Sequence, residues 1–264
     1  MDKAISRDGT TIAYERSGSG PALVLVDGAL CQRSMGPARP LAKLLAEHYT
    51  VYVYDRRGRG DSGDTAPYDV RREVEDLETV IDEAGESAYV FGQSSGAALA
   101  LEAAHQGVPI TKLATYEAPF IVDDSRDPVP NDYIAQLEGM LAAGRPGDAV
   151  KSFMKSVGVP RIMIALMRLM PVWKQLAGVA HTLPYDFSIL HGNQRGKPLP
   201  EGRWSGATVP TLVLDGGKSP DWMRNGNRAL ADTVPQSTYR TLPGQTHMLK
   251  AQAVAPVLRE FFTD

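Results

Sequence analysis

The sequence predicts an α/β fold: a mostly parallel central sheet of about eight strands, flanked by helices and carrying an inserted helical block. Three observations point there. Short apolar runs, among them Ala22-Leu23-Val24-Leu25-Val26, Thr50-Val51-Tyr52-Val53-Tyr54 and Thr211-Leu212-Val213-Leu214, alternate with helical patterns, as expected of strands covered on both faces. That alternation stops between residues 121 and 205, where helical patterns follow one another. Finally, the run from Ala88 to Phe91 enters Gly92-Gln93-Ser94-Ser95-Gly96 and leaves through Ala97-Ala98-Leu99-Ala100, which puts a serine on a sharp strand-to-helix turn.

The elements follow in order. A turn at Asp8-Gly9 joins Ala4-Ile5-Ser6 to Thr11-Ile12-Ala13-Tyr14, an opening antiparallel hairpin. The strand over 22–26 ends in Asp27-Gly28-Ala29-Leu30, a helix covers 37–48, and the strand over 50–54 runs into the Gly-rich segment from Asp55 to Gly63. This segment has neither the dinucleotide fingerprint nor a Gly-Lys-Ser/Thr ending, so it is not read as a phosphate loop. A helix from Val70 to Ala84 carries Val70, Val74, Leu77, Val80 and Ile81 on one face and is expected to pack beneath the strand leading to Ser94. After a helix ending near His105, a strand from Ile110 to Tyr116 leads into Glu117-Ala118-Pro119. Helical patterns at 131–143, 146–157, 161–170 and 172–181 lie between two Pro/Gly-rich stretches. The β/α rhythm then resumes with a strand ending at Asp215, a helix over 221–232, a strand over 238–242 and a closing helix over 251–262. The expected organisation is therefore a core domain of residues 1–120 and 206–264, with 121–205 as a helical cap.

Composition narrows the function. Lys and Arg total 28 against 31 Asp and Glu, net −3, with no basic stretch to track a phosphate backbone, so nucleic acid is not an expected partner. The start lacks a charged-then-apolar leader, and no apolar run reaches the roughly 18 to 20 residues that span a bilayer. A cytoplasmic protein without a membrane partner is expected. Cys31 is the single cysteine, which leaves no intrachain disulfide or cysteine metal cluster. No cofactor or metal is expected, and no pattern specifies an oligomeric state.

The turn at Gly92 to Gly96 resembles the nucleophile elbow of the α/β-hydrolases. The resemblance implies an α/β-hydrolase fold in which Ser94 is the nucleophile and the amide of Ser95 an oxyanion donor. Many members carry a His-Gly pair after the first parallel strand. Here Asp27 stands in the histidine's place, and the amide of Ala29 keeps the second oxyanion role. The segment from Asp55 to Gly63 is similar to the D-x-R-G-x-G-x-S loop of the same family, which implies tight turns and ion pairs bracing the sheet edge.

A serine hydroxyl needs an imidazole to take its proton and an acid to orient that imidazole. His247, in the loop before the last helix, stands where the family places the base. His48, His105, His181 and His191 read as capping, surface or pocket residues. The acid usually follows the strand ending at Asp215, yet Gly216-Gly217-Lys218-Ser219 offers a serine there. Some members carry it one strand earlier, directly before the cap, and Glu117 occupies that position; Asp215 and Asp221 are the alternatives. Asp27-Gly28, Gly92 to Ala97 and Glu117-Ala118-Pro119 are also similar to lactonases that open the macrocyclic ester of zearalenone.

In the cap, Met163, Met167 and Met170 recur at helical spacing, and methionine adapts to irregular apolar ligands. Met163, Met167 and Trp173, with Leu30 beside the oxyanion turn and Met248 beside the base, are the expected substrate pocket. The expected activity is cofactor-free hydrolysis of a small-molecule carboxylic ester or lactone through an acyl-enzyme. Two alternatives stand beside it: C–C bond or thioester hydrolysis on the same scaffold, and a small-molecule-binding receptor that has kept the fold. Haloalkane and epoxide chemistry would need a carboxylate at the elbow.

Overall fold

Among the residues described by this computed structural model, 1–263, the apolar runs pair into one sheet. Its strands are β1 (Asp2–Ile5), β2 (Thr11–Ser17), β3 (Ala22–Val26), β4 (Thr50–Tyr54), β5 (Ala88–Gln93), β6 (Ile110–Tyr116), β7 (Thr211–Gly216) and β8 (Ser237–Leu242), in the order β1-β2-β4-β3-β5-β6-β7-β8. Only β2 runs against the others. The expected mostly parallel sheet of eight strands is what forms.

Among the described residues ten α-helices accompany it: α1 (Ala38–Leu45), α2 (Val70–Ala84), α3 (Ser95–His105), α4 (Tyr133–Ala142), α5 (Pro146–Ser156), α6 (Arg161–Met167), α7 (Val172–Gly178), α8 (Leu183–Ile189), α9 (Asp221–Thr233) and α10 (Ala251–Thr263). Leu77 and Ile81 of α2, Leu99 and Leu101 of α3 and Leu230 of α9 share a core with Val24 and Val90 on one sheet face. Leu41 and Leu45 of α1 and Val254, Leu258 and Phe262 of α10 cover Leu25 and Phe91 on the other. Because α1 follows β3 and α3 follows β5 on opposite faces, the chain diverges at the carboxyl ends of these two adjacent strands. A crevice opens there, where ligands of open α/β sheets bind.

Several elements differ from expectation. β1 closes before Ser6, whose amide bonds Thr10 O and starts the turn. α1 is shorter than 37–48, since the amides of His48 and Tyr49 both fold back onto Leu45 O. The expected packing of α2 beneath β5 is replaced by packing across β1 to β4 and against α3, because its crossover from β4 to β5 passes over β3. A further helix, α8, lies where no pattern was legible; it is two turns long and begins Leu183-Pro184, and proline is tolerated in the first turn.

The turn at Ser94 explains its glycines. A Cβ on Gly96 would lie 2.3 Å from Val26 O and 2.6 Å from Asp27 O, both backbone atoms. A Cβ on Gly92 would meet Gly96 O at 2.5 Å. Strand β5, helix α3 and the end of β3 can approach this closely only without side chains. Gly96→Ala should therefore lower stability by about 2 to 3 kcal/mol, read as a drop in thermal midpoint; a variant melting with the parent would contradict this packing.

Candidate active site

Strand register sets the site. Gln93 pairs with Tyr116 across β5 and β6, and Tyr116 with Leu214 across β6 and β7, so Ser94 and Glu117 are neighbours one residue beyond the sheet. Both continue its ladder: the amide of Ser94 donates to Tyr116 O at 2.9 Å and that of Glu117 to Leu214 O at 3.0 Å. Both also reverse the chain in the left-handed region, Ser94 at φ +56° and Glu117 at φ +50°, with Leu30 at φ +59° across the crevice. Non-glycine residues rarely adopt this conformation unless the surroundings hold them there.

His247 joins the two. Its Nε2 lies 3.2 Å from Ser94 Oγ and its Nδ1 2.8 Å from Glu117 Oε2. Glu117 is fully buried, and its second oxygen accepts the amide of Gly216 at 2.7 Å. The loop carrying His247 is tied down by Tyr116 Oη, which donates to Thr246 O at 2.7 Å, and by Gln93 Nε2, which donates to His247 O at 3.4 Å. The structure thus brings Ser94, Glu117 and His247 together. Asp215 faces elsewhere: it is buried, accepts a hydrogen bond from Tyr239 Oη and lies 3.4 Å from Arg224. Asp221 opens α9 as a first-turn acid.

The loop after β3 lies against the serine. A Cβ on Gly28 would be 2.8 Å from Ser94 Cβ, so only glycine permits the approach. Among the described residues, neither the amide of Ala29 nor that of Ser95 donates to an internal acceptor, and Ser95 N sits at the positive end of α3.

The bracing of this loop escaped the sequence. Arg56 Nη1 donates to Asp27 O at 3.3 Å and Arg59 Nη1 to Gly28 O at 2.7 Å. Both arginines are buried and converge on Asp186 of α8, at 2.9 and 2.8 Å, and Asp186 also accepts from Ser95 Oγ at 2.7 Å. Glu73 completes the shell of Arg56 through two further bonds of 2.7 and 2.9 Å. Burial drives the Asp186 carboxyl upward, but Arg59 and Arg56 outweigh it and leave it below the ordinary carboxylate range. The segment from Asp55 to Gly63 therefore braces the Asp27–Gly28 turn and helix α8, beyond the sheet edge expected of it. The Arg-Arg-Gly-Arg run was visible; its acidic partner Asp186 was not, since nothing in sequence marked α8.

Asp27 has a different environment. Its carboxyl lies against Gly36, where an added Cβ would come within 2.4 Å of Oδ2, and burial pushes it up to about 7, with the Ala38 amide, Arg59 and Arg56 pulling the other way. Burial likewise pushes the Cys31 thiol up, to about 12.

The five residues of the expected pocket divide into two groups. Leu30 is buried in a core shared with Leu137, Val150 and Leu183 of the helical insertion, because the chain reverses at its positive φ. Met167 and Trp173 pack on the margin of that core. Met163 is half-exposed and Met248 is 81% exposed, so neither lines an enclosed pocket; Ile164 anchors α6 and turns Met163 outward. Among the described residues, no group of three or more His, Cys, Asp or Glu is placed to hold a metal ion, and no helix is long and apolar enough to cross a membrane.

The model of the alpha/beta hydrolase family matches residues 27–257. A crystal structure of an alpha/beta hydrolase from Sphaerobacter thermophilus DSM 20745 superposes with a TM-score of 0.90 at 54% identity, covering 99% of this chain and 100% of that one. The enol-lactonase of Burkholderia xenovorans LB400 superposes with a TM-score of 0.69 at 23% identity, with both chains fully covered, a likeness of fold. The uncharacterized hydrolase YraK of Bacillus subtilis (strain 168) is 36% identical over 98 residues, 36% of this chain and 35% of that protein. The match thus spans about a third of that curated relative's length.

Two outcomes follow. Asp186→Asn removes the charge shared by two buried guanidinium groups and should cost about 3 to 5 kcal/mol in chemical denaturation; a loss below about 1 kcal/mol would show that the cluster is not coupled as described. Asp27 carries a raised carboxyl in the folded chain, so its favourable contribution is present near pH 4 and is lost as pH rises towards 7. Asp27→Asn should therefore raise the thermal midpoint relative to the parent at pH 8 but not at pH 4, and parallel melting curves at the two pH values would refute this.

Proposed function

This chain belongs to the alpha/beta hydrolase family and is a hydrolase, and from that premise we propose that it cleaves a carboxylic ester or lactone through a serine acyl-enzyme. The observation that carries the proposal is the single imidazole spanning Ser94 Oγ and Glu117 Oε2. Glu117 accepts the Nδ1 proton, which leaves Nε2 free to take the proton of Ser94 as Oγ attacks the carbonyl carbon. The negative charge that develops on the carbonyl oxygen is stabilised by the amides of Ala29 and Ser95, each worth on the order of 10² to 10³ in rate by analogy with other oxyanion donors. His247 then returns its proton to the leaving alkoxide. Water, deprotonated by the same imidazole, attacks the acyl carbon and frees Ser94. The cycle draws on substrate and water alone.

Residues 121–205 act as the cap in this reading. Its support is that Leu30 packs into the core of the helical insertion and that Asp186 bonds Ser95, so the insertion and the oxyanion turn share one packed unit. The acyl group accepted depends on that cap rather than on the shared fold.

Mass spectrometry after treatment with an organophosphonate tests the nucleophile: Ser94 is the expected site of modification, and an unlabelled serine in folded protein counts against the mechanism. Glu117→Gln should lower kcat on a p-nitrophenyl ester by on the order of 10⁴, whereas Asp215→Asn, which does not touch His247, should stay within about tenfold of the parent. A reversal of that ranking would move the acid to Asp215. Lactones of small and large ring size, compared with linear esters, then rank the substrate classes.

A further inference from the structure

The outer face of the helical insertion is unusual. Helix α6 is anchored inward by Ile164, which is 2% exposed, whereas Ile162, Leu166 and Leu169 are 72%, 56% and 84% exposed. Met163 and Met170 are half-exposed on the same outward side, and Val157 projects just before the helix. On a surface helix the apolar stripe ordinarily faces the core; here a second apolar stripe faces solvent. Contiguous exposed apolar patches of this kind mark interaction sites.

The charge around it is one-sided. Between residues 149 and 185 there is no Asp or Glu, while Lys151, Lys155, Arg161, Arg168 and Lys174 lie within it, in a chain of net charge −3. Lys155, Arg161, Arg168 and Lys174 are exposed. None of the five pairs with a carboxylate among the described residues. Arg168 lies over the ring of Trp173 at 5.9 Å, a cation held beside an amphipathic aromatic.

We propose that this face docks onto an anionic lipid surface, with Ile162, Leu166, Leu169 and Met170 entering the boundary between headgroups and acyl chains and the basic side chains remaining at phosphate level. A second copy of the same face would set four exposed cations against four. A nucleic acid would neutralise the cations but leave the apolar tips in water. An anionic bilayer takes both components at once, since Lys and Arg stems can lie along apolar surface while their charges stay at the interface. The absence of a membrane-spanning helix among the described residues concerns crossing the bilayer; this contact is peripheral. The proposal is independent of the acyl-enzyme mechanism, because Ile162, Leu166, Leu169, Met170 and the basic residues were assigned no part in it.

Co-sedimentation of the full chain with phosphatidylglycerol/phosphatidylcholine vesicles tests it. The expected result is binding that weakens as salt is raised and is at least about tenfold weaker on pure phosphatidylcholine. The pairs Leu166→Ser with Leu169→Ser and Arg161→Glu with Arg168→Glu should each reduce partitioning about tenfold or more, with unchanged melting and an unchanged rate on a soluble short-chain ester. If the serine pair fails to fold, the charge-reversed pair, confined to exposed side chains, carries the test. Failure to sediment with anionic vesicles, or equal binding to both vesicle types, overturns the proposal. So does a concentration-dependent dimer, seen by light scattering, that the serine pair abolishes, since the face would then belong to a second copy.

Discussion

The hydrogen bond from the amide of Ser94 to Tyr116 O, 2.9 Å long, continues the β5–β6 ladder one residue beyond both strands. Glu117 does the same on the other side by donating to Leu214 O. These two bonds hold the backbone at the places where it reverses with positive φ, a conformation that costs of order 1 to 3 kcal/mol and would otherwise relax. Because parallel strands in register end level with one another, the residues that follow them emerge on one edge. Ser94 and Glu117 are thereby set side by side, at a distance that a single imidazole on the loop after β8 can bridge.

The turn after β3 depends on charge rather than on the ladder. The carbonyls of Asp27 and Gly28 are held by Arg56 and Arg59, and both guanidinium groups are nearly inaccessible to water. Taking such groups out of water is expensive, and the cost is offset only where every donor has a partner. Asp186 and Glu73 supply those partners. The consequence is that a residue of the helical insertion, Asp186, belongs to the same buried network as the loop against the serine and as Ser95 itself. Displacement of α8 would uncover two arginines, so the insertion cannot move far from the core at this point without a large penalty.

That inner side contrasts with the outer one. Tyr68 and Tyr185 stack at 3.9 Å, and Tyr185 reaches Asp64, which adds to the attachment near α8. Helix α6, by contrast, is attached through a few side chains, with Ile164 fully inward and Met167 on the margin. One side of the insertion is fixed by ion pairs and aromatic stacking, and the other presents outward apolar side chains and cations without a carboxylate partner among the described residues. Rigid attachment to the core and an external surface that differs from the rest of the molecule are thus properties of different helices.

Local pattern was sufficient for the sheet, for the elbow and for the three residues that converge, because apolar runs, a glycine-framed serine and a serine-acid-histidine order are all written in short windows of the chain. Glu117 could be singled out because it directly follows a strand whose neighbour carries Ser94, and Ser219 left the more usual position without a carboxylate. What no window contains is which charges meet across a hundred or more residues. Asp186 lies in a two-turn helix opened by Leu183-Pro184, with too few turns for periodicity to register, and its meaning comes from Arg56, Arg59 and Ser95, which are distant in sequence. The methionines of α6 posed the same difficulty in reverse: helical spacing puts Met163 and Met167 near one another, but only the packing around Ile164 decides that Met167 lies at the margin of the core while Met163 turns outward. Periodicity is a property of the backbone, whereas orientation and ion pairing depend on which surfaces the folded chain brings into contact.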